Sequence, residues 1–81
     1  MGLPLAIKAH GEGNLAEAAR QYERALDQNK VEPILFQNYG ALLRASGDEK
    51  KAETIYKQGL SRYPNHSTIL PNYANLLKTT G

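Results

Sequence analysis

Two sets of side chains in this sequence have the type and spacing to do chemistry. Asn38 and Asn72 are separated by the same interval as Gly13 and Gly47, with Asn75 one helical turn past the second and Gln37 beside the first. A side-chain amide has one acceptor and two donors, so it can hold both polar groups of a peptide unit. His10, Arg44 and Lys78 recur at that same interval. Cationic groups in register favour an acidic ligand or the terminal carboxylate of a peptide. The competing account is structural. Amides can tie neighbouring segments together or face water, and basic groups near helix ends suit the local dipole.

Catalytic chemistry finds no comparable footing. His10 and His66 lie in different turns or helix ends, and neither has a metal-ligand companion at helical spacing. The carboxylates Glu12, Glu17, Glu23, Asp27, Glu32, Asp48, Glu49 and Glu53 fall mostly at caps or on polar helix faces. Gly11-Glu12-Gly13 and Ser46-Gly47 end helices, and neither follows a strand as a phosphate-binding loop would. Ser46 and Ser61 have no partners arranged for nucleophilic attack. With no cysteine there is no disulfide framework, thiolate metal site or Cys nucleophile. The expectation is no enzyme, no metal and no cofactor.

The elements that must position the amides are helices. In Pro33–Pro64, Leu35, Phe36, Tyr39, Leu42 and Leu43 share one helical face, and Gly47-Asp48 breaks the pattern. Asp48 caps a second helix that turns Ala52, Ile55, Tyr56, Gly59 and Leu60 inward. A turn this short makes the pair antiparallel. Gly40, Ala52 and Gly59 sit where the two axes approach closely. Shifting the sequence against itself by the Gly13-to-Gly47 interval recovers the unit: Gly13-Asn14 falls on Gly47-Asp48, Ala18 on Ala52, Tyr22 on Tyr56 and Leu26 on Leu60. Asn38-Tyr39-Gly40 returns as Asn72-Tyr73-Ala74, Leu42-Leu43-Arg44 as Leu76-Leu77-Lys78, and Gly81 continues the series from Gly13 and Gly47.

A helix-turn-helix repeat of this length resembles the tetratricopeptide repeat. Phe36, Tyr39-Gly40, Leu43, Gly47, Ala52, Tyr56 and Pro64 carry the resemblance. It departs at Gly59, where alanine is usual and Ala25 keeps it in the first unit, and at Lys30, which replaces the closing proline. The resemblance implies an all-α solenoid of about five antiparallel helices in a right-handed superhelix. Residues 1–32 form repeat 1, with a weak or incomplete first helix. Residues 33–66 form repeat 2, and 67–81 the first helix of repeat 3 or a capping helix. The first helix of each pair lines the inner wall. The run Asn72-Tyr73-Ala74-Asn75-Leu76-Leu77 looks like the asparagine ladder of O-linked N-acetylglucosamine transferase repeats, which bind extended peptide backbone. The carboxylate clamp of chaperone-binding members is not matched, since Leu3, Ile7 and Gln37 stand where it needs Lys or Asn.

Along the sequence the expected helices are about Leu3 to His10, Leu15 to Gln28, Pro33 to Ser46, Glu49 to Arg62 and Thr68 to Thr80. Leu5, Ile7 and Ala9 are the apolar content of the first. Asn14 and Glu17 suggest a capping box before the second, whose stripe runs Leu15, Ala18, Ala19, Tyr22, Ala25 and Leu26. Asn29 to Glu32 forms the link, and Pro33 opens the third helix where proline is preferred. Thr68, or an irregular first turn, is expected to start the fifth helix, given Pro71. Leu70, Tyr73, Leu76 and Leu77 should face inward there.

A net charge of +2 is too small and scattered for a polyanion, so nucleic acid is not an expected partner. No apolar run reaches the roughly 20 residues of a membrane span, and Met1 to Leu5 is no signal peptide. A cytoplasmic location is favoured. The sequence reads as a non-catalytic protein–protein interaction scaffold. Its concave face binds an extended polar or acidic peptide through Asn38, Asn72, Asn75, Gln37, Arg44, Lys78 and His10. The alternatives are a self-assembly module, with Leu70, Tyr73 and Leu77 making homo-oligomer contacts, and a spacer or adaptor attached to an enzyme. An excised piece of a longer array is expected rather than a complete, capped stack.

Overall fold

The computed structural model describes residues 2–29 and 32–80. The assignments made above to Met1, Lys30, Val31 and Gly81 lie outside the described residues. Among those described there are five helices and no strand: α1 (Gly2–Gly11), α2 (Leu15–Asp27), α3 (Pro33–Ala45), α4 (Glu49–Arg62) and α5 (Ile69–Thr80). Consecutive helices pack side by side as antiparallel hairpins.

The two hairpin turns are copies of one another because the same residue types recur. Gly13 and Gly47 adopt φ of 79° and 89°, the left-handed conformation that costs glycine little. The following N–H then reaches back to close the helix: Asn14 to the Ala9 carbonyl and Asp48 to the Leu43 carbonyl, each 2.9 Å. The Asn14 and Asp48 side chains next accept the Glu17 and Lys51 backbone N–H at 3.4 and 3.2 Å, capping α2 and α4. The capping box does not form. Because the Asn14 N–H is already spent on Ala9, the Glu17 carboxylate accepts from Arg20 and Gln21 instead. Asn29, at φ 60°, ends α2 in the role glycine plays elsewhere.

The start of α5 follows the second of its two expected forms, an irregular first turn, with a cap the sequence did not suggest. Neither Ser67 nor Thr68 caps it; the His66 imidazole does, Nδ1 accepting the Thr68 and Ile69 N–H at 3.2 and 3.3 Å. Leu70 N–H bonds the His66 carbonyl and Asn72 N–H the Thr68 carbonyl, each 3.1 Å. Pro71 falls between them and has no N–H to give the Ser67 carbonyl. The first turn therefore lacks one rung, and an imidazole supplies the cap.

Successive helices α1, α3 and α5 touch along one side of the stack, whereas among the described residues α2 and α4 do not pack backbone to backbone. A stack compressed on one side curves toward it, so α1, α3 and α5 form the inner wall. Tyr22, Phe36, Tyr39, Leu43 and Tyr56 are buried as expected, with Leu26, Leu60 and Tyr73 packed partly buried against them. A Cβ on Gly40 would lie 2.3 Å from the Tyr56 ring, and one on Gly59 2.7 Å from Phe36 Cβ. These glycines set how closely α3 and α4 approach.

Two helices bury a different face from the one predicted. In α1, Leu3, Ala6 and Ala9 are buried while Leu5 and Ile7 are exposed. Leu5 stands one repeat before Tyr39, which is held between α2 and α4; among the described residues no helix precedes α1 to cover Leu5 likewise. In α5, Ile69 and Leu76 are buried and Tyr73 half-buried, but Leu70 and Leu77 are 43% and 42% exposed. They match Phe36 and Leu43, which α4 covers, and no described helix covers α5 in that way. Leu15 is likewise exposed at the start of α2.

Candidate functional site

The inner wall is built on a seam of tyrosine hydroxyls. Ala18, Tyr22 and Ala25 put one face of α2 into the core, and the Tyr22 ring is long enough to bring its hydroxyl to the neighbourhood of α1 and α3. There His10 Nδ1 lies 2.9 Å from the Tyr22 hydroxyl, with the rings edge to face at 5.9 Å. Burial pushes the Tyr22 phenol up, and the Asn38 side chain pulls it part of the way back. One repeat later the pattern recurs. Burial raises the Tyr56 phenol, while the Arg44 charge and the Asn72 side chain oppose the rise. His10 and Asn38 thus flank one hydroxyl, and Asn72 the next, with the Arg44 charge close enough to act on it.

The other predicted residues stand apart from these two centres. Gln37 is half-buried, whereas Asn75 and Lys78 are exposed. Among the described residues none of these three side chains has a hydrogen-bond or ion-pair partner. Arg44 donates through Nη2 to Thr79 Oγ1 at 3.4 Å, and Thr79 Oγ1 donates to the Leu76 carbonyl at 2.9 Å. Leu70 and Leu77 belong to the distal face of α5, away from these groups, whereas Tyr73 is half-buried against the core with its ring centroid 6.4 Å from that of Tyr56. The hydroxyls of Tyr22 and Tyr56 were missed in the sequence. The signal was present: phenylalanine would fill the same core, yet tyrosine recurs, in register with both the amides and the basic groups.

Charge is divided between the layers. Glu17, Glu23 and Asp27 lie on α2 and Glu49 and Glu53 on α4, while Glu12, Glu32 and Asp48 lie in turns and caps. Helices α1, α3 and α5 contain no carboxylate, yet carry Lys8, His10, Arg44 and Lys78. Ion pairs belong to the outer layer: Arg20 with Glu17, Lys51 with Glu23, Lys57 with Glu53. Glu23 also accepts a hydrogen bond from the Tyr39 hydroxyl, and Lys51 sits 5.7 Å from the Tyr39 ring centroid. Glu23 therefore turns to Lys51 and Tyr39, while Arg20 pairs with Glu17. Partial burial works against the Glu23 charge, but Tyr39 and Lys51 hold its carboxyl below the usual range. Burial, then the Glu23 bond, pushes the Tyr39 phenol up to about 12. Open clefts of about 720 and 620 Å³ flank the Glu23–Lys51 bridge on this outer side.

Comparison with known families finds a match to the tetratricopeptide repeat over residues 9–79. The protein belongs to the tetratricopeptide repeat family. The match runs from the end of α1 through α2, α3 and α4 and nearly all of α5, so the repeat found by internal comparison is this family's repeat. Tetratricopeptide repeats mediate protein–protein interactions and are typically non-catalytic scaffolds. Searches of curated proteins and of solved structures gave no match. Among the described residues no group of His, Cys, Asp or Glu could hold a metal ion, and no helix is long and apolar enough to cross a membrane.

Proposed function

We propose that the inner wall of this tetratricopeptide stack binds an extended polar or acidic peptide segment, and that the protein itself does no chemistry. The observation that carries this is the absence of any carboxylate from α1, α3 and α5, with Arg44 and Lys78 in register and unpaired by acid among the described residues. An anionic segment laid along that wall meets cations without meeting like charge. Asn38 and Asn72, oriented beside tyrosine hydroxyls, hold its backbone. Asn75 and Gln37 extend the row of amides.

A wall of two and a half repeats is shorter than a standard interface, so binding is micromolar or weaker. Each amide contact contributes about 1 kcal/mol net. Asn38→Ala combined with Asn72→Ala should therefore weaken an acidic peptide roughly tenfold or more while the helical circular dichroism is kept. Arg44→Glu should weaken it at low salt, and the loss should shrink toward 1 M salt, where the Debye length is about 3 Å. Equal affinity of the double-alanine variant and the parent would sink this reading.

A second reading has an observation of its own. Leu70, Ala74 and Leu77 are exposed at positions whose mates, Phe36, Gly40 and Leu43, are covered by α4. That face of α5 has the register of one built to be covered by a helix, and a second copy of the protein is the proposed occupant. Sedimentation should then show a concentration-dependent larger species that Leu77→Glu abolishes. A strict monomer at millimolar concentration would rule it out.

A further inference from the structure

The inner wall changes character from α1 to α5, and the change follows the repeat register. Ile7, Ala41 and Asn75 occupy the same position in successive inner helices, and all three are exposed. Ile34 and Thr68 form a second row, again apolar before polar, and Pro4, Asn38 and Asn72 a third. Ile7 and Ile34 are 39% and 40% exposed, which is costly for large branched side chains that a polar residue could replace. Neither lies on the distal face of α5. Their place on the inner wall leaves them for whatever the wall binds.

We infer that the wall reads its peptide in one direction, taking an apolar side chain over Ile7 and side-chain carboxylates farther on, over Arg44 and Lys78. The inference rests on the inner-wall reading proposed above. Packed helices lie about 8–10 Å apart, and an extended peptide rises about 3.3 Å per residue. One helix spacing therefore takes roughly three peptide residues. The favoured ligand has an apolar residue followed by acids about three and six positions farther along, in one of the two backbone directions. His10, the α1 member of the row that Arg44 and Lys78 continue, is already occupied by Tyr22, and Lys8 lies outside that row, one repeat before Leu42. Because the carboxylates are side chains, neither peptide terminus has to be free.

The test uses the whole protein and three synthetic peptides, each acetylated and amidated so that no terminal charge enters. One carries leucine with glutamates three and six residues after it, the second the same residues in reverse order, and the third glutamine in place of leucine. Titrations by fluorescence anisotropy should show the two leucine peptides differing about tenfold. The glutamine peptide should match the weaker. Ile7→Ser should remove most of the difference without weakening the glutamine peptide, and Ile7→Thr serves as a second variant should Ile7→Ser lose helical signal. Exchanging the ends, with Ile7→Asn and Asn75→Ile together, should reverse the preference. Equal binding by the forward and reverse peptides overturns the directional inference while the inner-wall reading survives. No binding by any peptide overturns both.

Discussion

Replacing Gly59 by alanine sets two lines of reasoning against each other. Alanine is usual at this position of the tetratricopeptide repeat, and in a helix interior it is better than glycine by about 0.8–1.0 kcal/mol. The packing predicts the opposite sign. The new Cβ would sit 2.7 Å from Phe36 Cβ, 2.9 Å from Phe36 Cγ and 3.3 Å from Ile69 Cδ1. Carbon atoms rest at about 3.5–4.0 Å, and Phe36 Cβ is fixed to the α3 backbone, so no rotamer change relieves the first contact. The helices must part by roughly 1 Å along most of their shared face, at a cost of about 1–3 kcal/mol. Repeat 1 shows the complement, since a glycine stands one repeat before Phe36 and Ala25 one repeat before Gly59. The net effect is a loss of up to about 2 kcal/mol, which lowers the melting temperature by up to roughly 16 °C for a domain of this size. Thermal melts at 222 nm read it, with Gly11→Ala as control, because nothing lies within 4 Å of a Cβ there. If Gly59→Ala melts as high as Gly11→Ala or higher, close approach of α3 and α4 is not what selects glycine.

Tyr39→Ala should cost on the order of 3–4 kcal/mol and nearly unfold the protein, since Tyr39 is buried, stacked on Tyr22 at 5.3 Å and bonded to Glu23; a shift of a degree or two in a thermal melt would place it outside the core. His66→Ala removes the cap of α5 and should cost about 1 kcal/mol, with amide exchange rising first at Thr68 and Ile69; unchanged exchange there would refute the imidazole cap. Alkali should unfold the protein through its tyrosines. Tyr22, Tyr39 and Tyr56 all have raised phenol pKa values, so they stabilise the fold fully below pH 10, and that contribution is lost as pH rises through 10 to about 12. Tyrosinate absorbance should lag behind that of the urea-unfolded protein over this range, and superimposable titrations would contradict the burial of the three hydroxyls.

Much of this architecture can be read from residue type and interval alone. Gly13-Asn14 and Gly47-Asp48 announce both hairpin turns, because left-handed glycine followed by a side-chain cap is a local requirement. The bounds of α4 come out as expected for the same reason. What escapes is whatever depends on a neighbour. Leu5, Leu70 and Leu77 carry the apolar periodicity of buried residues, but periodicity cannot say whether a covering helix is present. His66 as a cap escapes because histidine is not a preferred capping residue and acts here only through the turn that Pro64 and Pro71 bracket. Asn38 and Asn72 were legible as a recurring oddity, yet their contact with Tyr22 and Tyr56 is tertiary. It links helices whose relative depth no spacing rule gives. The same holds for Glu23, whose helical neighbour Arg20 loses it to Lys51 across the outer groove.

Backbone amide resonances followed while an acetylated, amidated acidic peptide is titrated into the whole protein test the central claim most directly. The inner-wall account predicts saturable shifts concentrated at Asn38, Arg44, Asn72, Asn75 and Lys78, with α2 and α4 little changed on their outer faces. Shifts centred instead on Arg20, Arg24, Lys51 and Lys57, around the groove between α2 and α4, would contradict it.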